Sequence, residues 1–147
     1  MKRLRIAMVG YRFMGRVHAH AYRTVHHFFP DCPEPELELL VGRDEAALKG
    51  AAQQLGFERW STDWRTAVTD PAIDVVDISS TGNNHCEVAL AAAAAGKHVI
   101  CEKPLANTLA EAREMLRAVE RAGVTHMTAF NYRRVPAISF ARRMIEE

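Results

Sequence analysis

The chain has 147 residues with 19 Lys+Arg, 18 Asp+Glu and 48% hydrophobic residues, the composition of an ordinary globular domain rather than a disordered, collagen-like or fibrous chain. At this length a fold removes roughly 68–70% of the unfolded surface from water, so one core suffices without disulfides or a structural metal. A net charge of +1 offers no single-signed field and argues against nucleic acid or an anionic membrane as a partner.

The basic start, Lys2, Arg3 and Arg5, imitates the first part of a signal peptide, but the apolar stretch behind it ends at Gly10. The longest apolar run, Val88 to Ala95, is eight residues of mostly Ala, too short to span a bilayer. Cys32, Cys86 and Cys101 fit no metal-ligand or redox spacing, which suits a reducing cytoplasm with the thiols as small buried or half-buried side chains and no metal.

Along the chain, short apolar runs alternate with helical stripes, the pattern of βαβ units on a parallel sheet. Leu4 to Val9 reads as a first strand, followed by a helix from Gly15 with Val17, Ala21, Val25 and Phe28 on its inner face. Pro30, Pro33 and Pro35 mark a loop. Leu37 to Val41 is a second strand, and Asp44 caps a helix whose stripe of Leu48, Ala51, Ala52 and Leu55 ends at Gly56. A short strand near Phe57 to Trp60 and a brief helix near Asp63 to Val68 lead to a buried strand, Ile73 to Ile78. A helix from Asn84 to Ala95 stops at Gly96, and His98 to Cys101 is the fifth strand. Thr108 and Glu111 form a capping box opening a helix with Leu109, Ala112, Leu116 and Val119 on one face and Gly123 just beyond its end. Thr125 to Phe130 is the sixth strand, and Arg134 to Glu147 reads as helix with Pro136 in its first turn.

The first turn, Gly10-Tyr11-Arg12-Phe13-Met14-Gly15, has the first and third glycines of a dinucleotide fingerprint, with Arg12 at the second. Such a turn needs tight geometry at Gly10, close helix packing at Gly15 and free backbone N–H groups for a pyrophosphate; on this motif alone an ordinary βα turn is the alternative. Arg12 brings a Cβ toward the phosphates, and its guanidinium can pair with them. The stronger signal is positional, because polar groups follow strand after strand at the carboxyl end. After the glycine turn come Gly42-Arg43-Asp44, Ser79-Ser80-Thr81-Gly82-Asn83-Asn84-His85, Glu102-Lys103-Pro104 and Asn131-Tyr132-Arg133-Arg134. Ligands of open α/β sheets bind along that edge, and one extended dinucleotide would cross all of it. Arg43, Asp44, Asn131 and Arg133 are thereby cofactor-binding candidates.

These residues carry a resemblance to the N-terminal domain of the Gfo/Idh/MocA family of NAD(P)-dependent oxidoreductases, covering nearly the whole chain. Its most specific element is Gly96-Lys97-His98-Val99-Ile100-Cys101-Glu102-Lys103-Pro104-Leu105-Ala106, similar to the family's Gly-Lys-His strand and Glu-Lys-Pro signature. Phe130 to Pro136, and Phe13-Met14-Gly15 followed by His18, are similar to segments of the inositol dehydrogenase-like branch. Arg12 and Thr81 depart from the family pattern, Thr81 standing where proline is common.

The resemblance implies an α/β fold, a Rossmann-type doubly wound parallel sheet with helices on both faces. It implies residues 1–130 as the NAD(P)-binding domain and 131–147 as the start of a connection to a second domain absent from this sequence, so that a fragment is expected. By the same token Gly10, Tyr11, Arg12, Phe13, Met14 and Gly15 hold the pyrophosphate, and Ser80, Thr81, Asn83 and His85 line the cofactor path. Glu102, Lys103 and Pro104 then sit at the nicotinamide, with the Lys103–Pro104 bond cis and Lys103 as the catalytic residue. A charged lysine suits hydrogen bonding to the reacting oxygen better than lone proton abstraction.

The implied activity is hydride transfer between nicotinamide and a carbinol or carbonyl carbon of a sugar, cyclitol or similar polyol; a non-catalytic NAD(P)-binding module is the alternative. NAD and NADP both remain open, with a lean to NADP because Gly42 takes the usual acidic position and Arg43 adjoins it. A full-length form is expected to be a homo-oligomer. Other conspicuous residues have plainer explanations. His18 and His20, two apart on a helix, cannot chelate one ion, nor can His26 and His27. Asp74 and Asp77, three apart on a strand, face opposite ways, and Trp60 and Trp64 pack locally.

Overall fold

The computed structural model describes residues 3–146, leaving Met1, Lys2 and Glu147 outside the description, including the last residue of the expected final helix. The chain runs β1 (Arg3–Val9), α1 (Phe13–Thr24), β2 (Glu34–Val41), α2 (Glu45–Leu55), β3 (Arg59–Ser61) and α3 (Arg65–Thr69). It continues through β4 (Val75–Ile78), α4 (His85–Ala94), β5 (His98–Cys101), α5 (Leu109–Ala122), β6 (His126–Thr128) and α6 (Pro136–Glu146), with short 3₁₀ turns at Val25–His27, Gly82–Asn84 and Asn131–Arg134. The six strands form one parallel sheet in the order β3-β2-β1-β4-β5-β6, the doubly wound order with its reversal between β1 and β4.

Parallel strands covered on both faces need continuous apolar runs, and β1 and β4 supply them. Ala7, Val9, Val76 and Ile78 face one core, shared with α3, α4 and α5. Ile6, Met8 and Val75 face the other, shared with α1 and α2. Ala89, Ala92 and Ala93 are buried on α4, whose small side chains let it lie close to the sheet. Asp44 caps α2 by accepting the Ala47 N–H at 3.2 Å, and Gly56 ends that helix at φ 80°. The α5 capping box is formed as expected: Thr108 Oγ accepts the Glu111 N–H, and the Glu111 carboxylate accepts the Thr108 N–H, both at 3.2 Å. Lys97 is buried and donates to the carbonyls of Asp70 and Ile73 at 2.8 and 2.7 Å, pinning the turn before β4.

Three expectations need correction. The inner face of α1 is Gly15 and Ala19, flanked by half-buried His18 and Tyr22, whereas Val17 and Phe28 are exposed. Small residues allow the helix to approach the sheet, and the polar pair has a partner there, so apolar spacing pointed to the wrong side. On α5, Leu109 and Leu116 are exposed and Met115 shares the inner face with Val119; the two leucines line an open apolar groove with Leu105 and Met127 beside β6. Pro35 belongs to β2 rather than to a loop, which its pairing with Leu4 near the start of the strand permits.

Candidate functional site

The carboxyl ends of β1 and β4 meet at Gly10. Its φ of +110° suits glycine, and a Cβ there would lie 2.7 Å from the backbone of Ser79 and Ser80. A Cβ on Gly15 would run into the Gly10 carbonyl oxygen. The two glycines therefore press the start of α1 against the sheet. That start has Arg12 at its N-cap with no capping side chain and no acidic residue in its first turn. Its backbone N–H groups and positive dipole end suit an anion. Tyr11 and Met14 are half-buried in this turn, while Arg12 and Phe13 are exposed.

At the end of β2, a Cβ on Gly42 would run into the Tyr11 ring, so any side chain there requires that ring to move. Arg43 and Asp44 next to it are exposed, and Asp44 spends one oxygen on the α2 cap. After β4, Thr81 and Asn83 are exposed and Ser80 donates to Asn84 Oδ1 at 2.6 Å. His85 is 1% exposed, with its ring nitrogens 3.0 Å from the carbonyl oxygens of Ser80 and Pro104, so it ties the β4 and β5 loops together from inside. Asn131 and Arg133 are exposed in the turn after β6, where the Arg133 guanidinium lies over the Phe130 ring.

After β5, Glu102 is 3% exposed and Lys103 stands out into solvent. Glu102 Oε2 accepts the Lys103 backbone N–H at 3.0 Å and lies 3.8 Å from the ammonium. The Lys103–Pro104 peptide is cis.

Beneath this edge lies a polar cluster that sequence reasoning missed. Asp77 falls in register between Met8 and Ile100, on the face covered by α1, in a row otherwise apolar. A fully buried carboxylate in such a row is costly unless it is paired. Its oxygens accept the Tyr22 hydroxyl at 2.8 Å, the Ser79 hydroxyl at 2.6 Å and His18 Nδ1–H at 2.8 Å. The other nitrogen of His18 faces Glu102 Oε1 at 3.2 Å. Burial works to lower the His18 pKa, but hydrogen bonding and charge from Asp77, followed by charge and hydrogen bonding from Glu102, raise it overall above its ordinary value. Burial and Asp77 together push the Tyr22 hydroxyl upward, keeping it a donor. The available signal was a lone Asp inside Val75-Val76-Asp77-Ile78, and a His and Tyr four apart on α1 able to reach it.

Among the described residues no helix is long and apolar enough to cross a membrane, and no group of metal-ligating side chains is gathered. A family profile described as oxidoreductase family, NAD-binding Rossmann fold, matches residues 4–130. The chain is 43% identical to levoglucosan dehydrogenase of Pseudarthrobacter phenanthrenivorans over all of its own length and 38% of the relative's. It is 37% identical to D-apiose dehydrogenase of Paraburkholderia graminis, again over its whole length and 37% of the relative's. A solved levoglucosan dehydrogenase in complex with NADH and levoglucosan superimposes with TM-score 0.94 at 42% identity, covering 99% of this chain and 40% of the other. The chain thus spans about two fifths of the length of the relatives it matches. With its glycine turn, strand order and Glu102-Lys103-Pro104 element, it belongs to the Gfo/Idh/MocA oxidoreductase family and has that family's NAD-binding Rossmann fold.

Proposed function

We propose that this chain is the dinucleotide-binding unit of a dehydrogenase or reductase that moves hydride between nicotinamide and a carbinol or carbonyl carbon of a sugar, cyclitol or similar polyol. The observation that carries the reading is the glycine cradle. Gly10 and Gly15 leave no room for a Cβ, so backbone N–H groups at the uncapped start of α1 are what an incoming pyrophosphate meets. When bound, the nicotinamide supplies the hydride chemistry.

The residues of this chain bind and orient. Ser80, Thr81 and Asn83 flank the path from the pyrophosphate toward β5, and Glu102 fixes the backbone at Lys103. The Lys103 ammonium donates a hydrogen bond to the reacting oxygen and stabilises negative charge developing on it. Levoglucosan and D-apiose in the names of the two relatives support a sugar-like substrate. Residues 1–130 form the binding unit, in keeping with the family match over 4–130. The segment 131–147 begins a connection, a reading favoured by the exposed apolar residues Ile138, Phe140 and Met144 of α6.

The NADH complex of the levoglucosan dehydrogenase supports use of NAD. Arg43, exposed beside Gly42, where no acidic side chain stands, favours the 2′-phosphate of NADP. Fluorescence titration with NADH and NADPH tests both levels. Binding of either, altered no more than a few-fold by Lys103→Ala, supports the dinucleotide reading, and binding of neither overturns it. Tighter NADPH binding that falls roughly tenfold in Arg43→Ala supports the NADP preference, one charge-assisted contact being of that size. Tighter NADH binding indifferent to Arg43→Ala overturns that preference and leaves Asp44 as the ribose partner.

A further inference from the structure

Two buried carboxylates, Asp77 and Glu102, lie at the mouth of the sheet with the single imidazole of His18 between them. Asp77 is held by three donors from two elements, since the Tyr22 hydroxyl comes from α1, the Ser79 hydroxyl from the end of β4, and His18 Nδ1–H from α1 again. With Asp77 anchored, the direction of the His18 ring is set. Its far nitrogen then reaches across to Glu102 Oε1, on the next strand, at 3.2 Å. Glu102 has a second oxygen, and that oxygen accepts the backbone N–H of Lys103 and neighbours its ammonium.

Resting on the reading that Lys103 faces the reacting carbon, we propose that His18 is a positioning residue. As an imidazolium braced by Asp77, it orients Glu102 and through Glu102 fixes Lys103. An imidazole donates from both nitrogens only in its protonated form. Asp77 already has two hydroxyl donors, so the second nitrogen of His18 adds nothing to the satisfaction of Asp77; what it adds is a grip on Glu102.

Loss of the His18 proton removes the donor toward Glu102 and leaves two carboxylates facing a neutral ring, which loosens the carboxylate that holds the Lys103 N–H. The groups that face His18 are Asp77 and Ser79 of the β4 end and Glu102 of the β5 end with Lys103 beyond it, while Tyr22 on its own helix meets the same Asp77 carboxylate. The Cys101 thiol, on β5 but turned to the opposite face of the sheet, is pushed up to about 12 by burial and then by the charges of Asp77 and Glu102, so it stays neutral throughout. The raised pKa of His18 agrees with a proton shared between two carboxylates.

The test is a proton–nitrogen NMR titration of the 147-residue chain without dinucleotide, from about pH 6 to about pH 9, a range that spans the ordinary histidine transition. It follows the His18 ring and the Lys103 backbone amide, the group that bonds to Glu102. The expected result is a His18 midpoint above its free value, with the Lys103 amide moving at that same midpoint, and loss of the Lys103 step in His18→Gln. A histidine that is felt only through its field would shift the Lys103 resonance but leave that amide's hydrogen-exchange protection unchanged across the transition, whereas the proposal expects the protection to fall. If His18→Gln does not fold, Glu102→Gln serves instead: the His18 midpoint is expected to shift downward. A Lys103 amide that ignores the His18 transition, a step that survives His18→Gln, or a His18 midpoint indifferent to Glu102→Gln overturns the proposal. Since no dinucleotide is present, these outcomes are separate from the NADH titration, whose failure would strike the cofactor reading alone.

Discussion

The two ends of the carboxyl edge are built differently. Beneath the exposed Thr81, Asn83 and Lys103 at the β4 and β5 ends, Asp77, His18, Glu102 and Ser79 form an interlocked cluster, each meeting at least one other inside the protein. At the end of β2 Arg43 and Asp44 are exposed, and the one tight feature is the Tyr11 ring over Gly42. A buried cluster fixes geometry, because every member left unpaired carries a desolvation cost. An exposed pair costs little to change, so substitution at the β2 end should disturb the fold little, and substitution within the buried cluster should disturb it much more.

The largest effect expected from breaking this contrast is Asp77→Ala. It leaves the hydroxyls of Tyr22 and Ser79 and one nitrogen of His18 without their acceptor, and should destabilise the chain by about 3–5 kcal/mol in urea unfolding. Arg43→Ala, at the other end, should change stability by less than about 0.5 kcal/mol. Equal effects would dissolve the distinction. Gly15→Val comes next, since its side chain would drive α1 away from the Gly10 carbonyl. Dinucleotide affinity should fall by at least roughly tenfold, beyond any loss of stability, because the proposed phosphate seat moves with the helix start.

The smallest effect is on pH dependence. His18 has a folded pKa raised above its unfolded value of about 6.5, so its contribution is complete below that value and is lost as pH rises through the folded pKa. Unfolding midpoints measured between about pH 6 and pH 7.5, below most of the cysteine transition and all of the tyrosine one, should decline in the wild type and decline less in His18→Gln. Parallel declines would remove the imidazolium from the buried end of the comparison.

The fold was legible because its punctuation is local. The Asp44 cap, Gly56, the Thr108–Glu111 box and Gly123 bound their helices in the structure as they do in the sequence. The strand order follows from short βα units with a reversal after β1. The exposed part of the edge was legible too, since polar residues after apolar strands need no knowledge of packing. The buried cluster was not read, for a physical reason: the inner face of α1 carries Gly15, His18, Ala19 and Tyr22, a set that hydrophobic periodicity scores as outward-facing. Its orientation is dictated by Asp77, which comes from a strand 59 residues further along than His18. The α5 stripe misled in the opposite sense, because Leu109 and Leu116 are apolar yet open to solvent beside β6.

In the function proposed above, one nicotinamide dinucleotide lies along the carboxyl edge with its pyrophosphate at the start of α1. Amide chemical-shift mapping of the chain with added NADH measures this directly. The perturbed amides should cluster in 10–16, 42–44, 79–83 and 102–103, while those lining the α5–β6 groove stay unchanged. Perturbations centred on that groove, or on the amino ends of the strands, would contradict it.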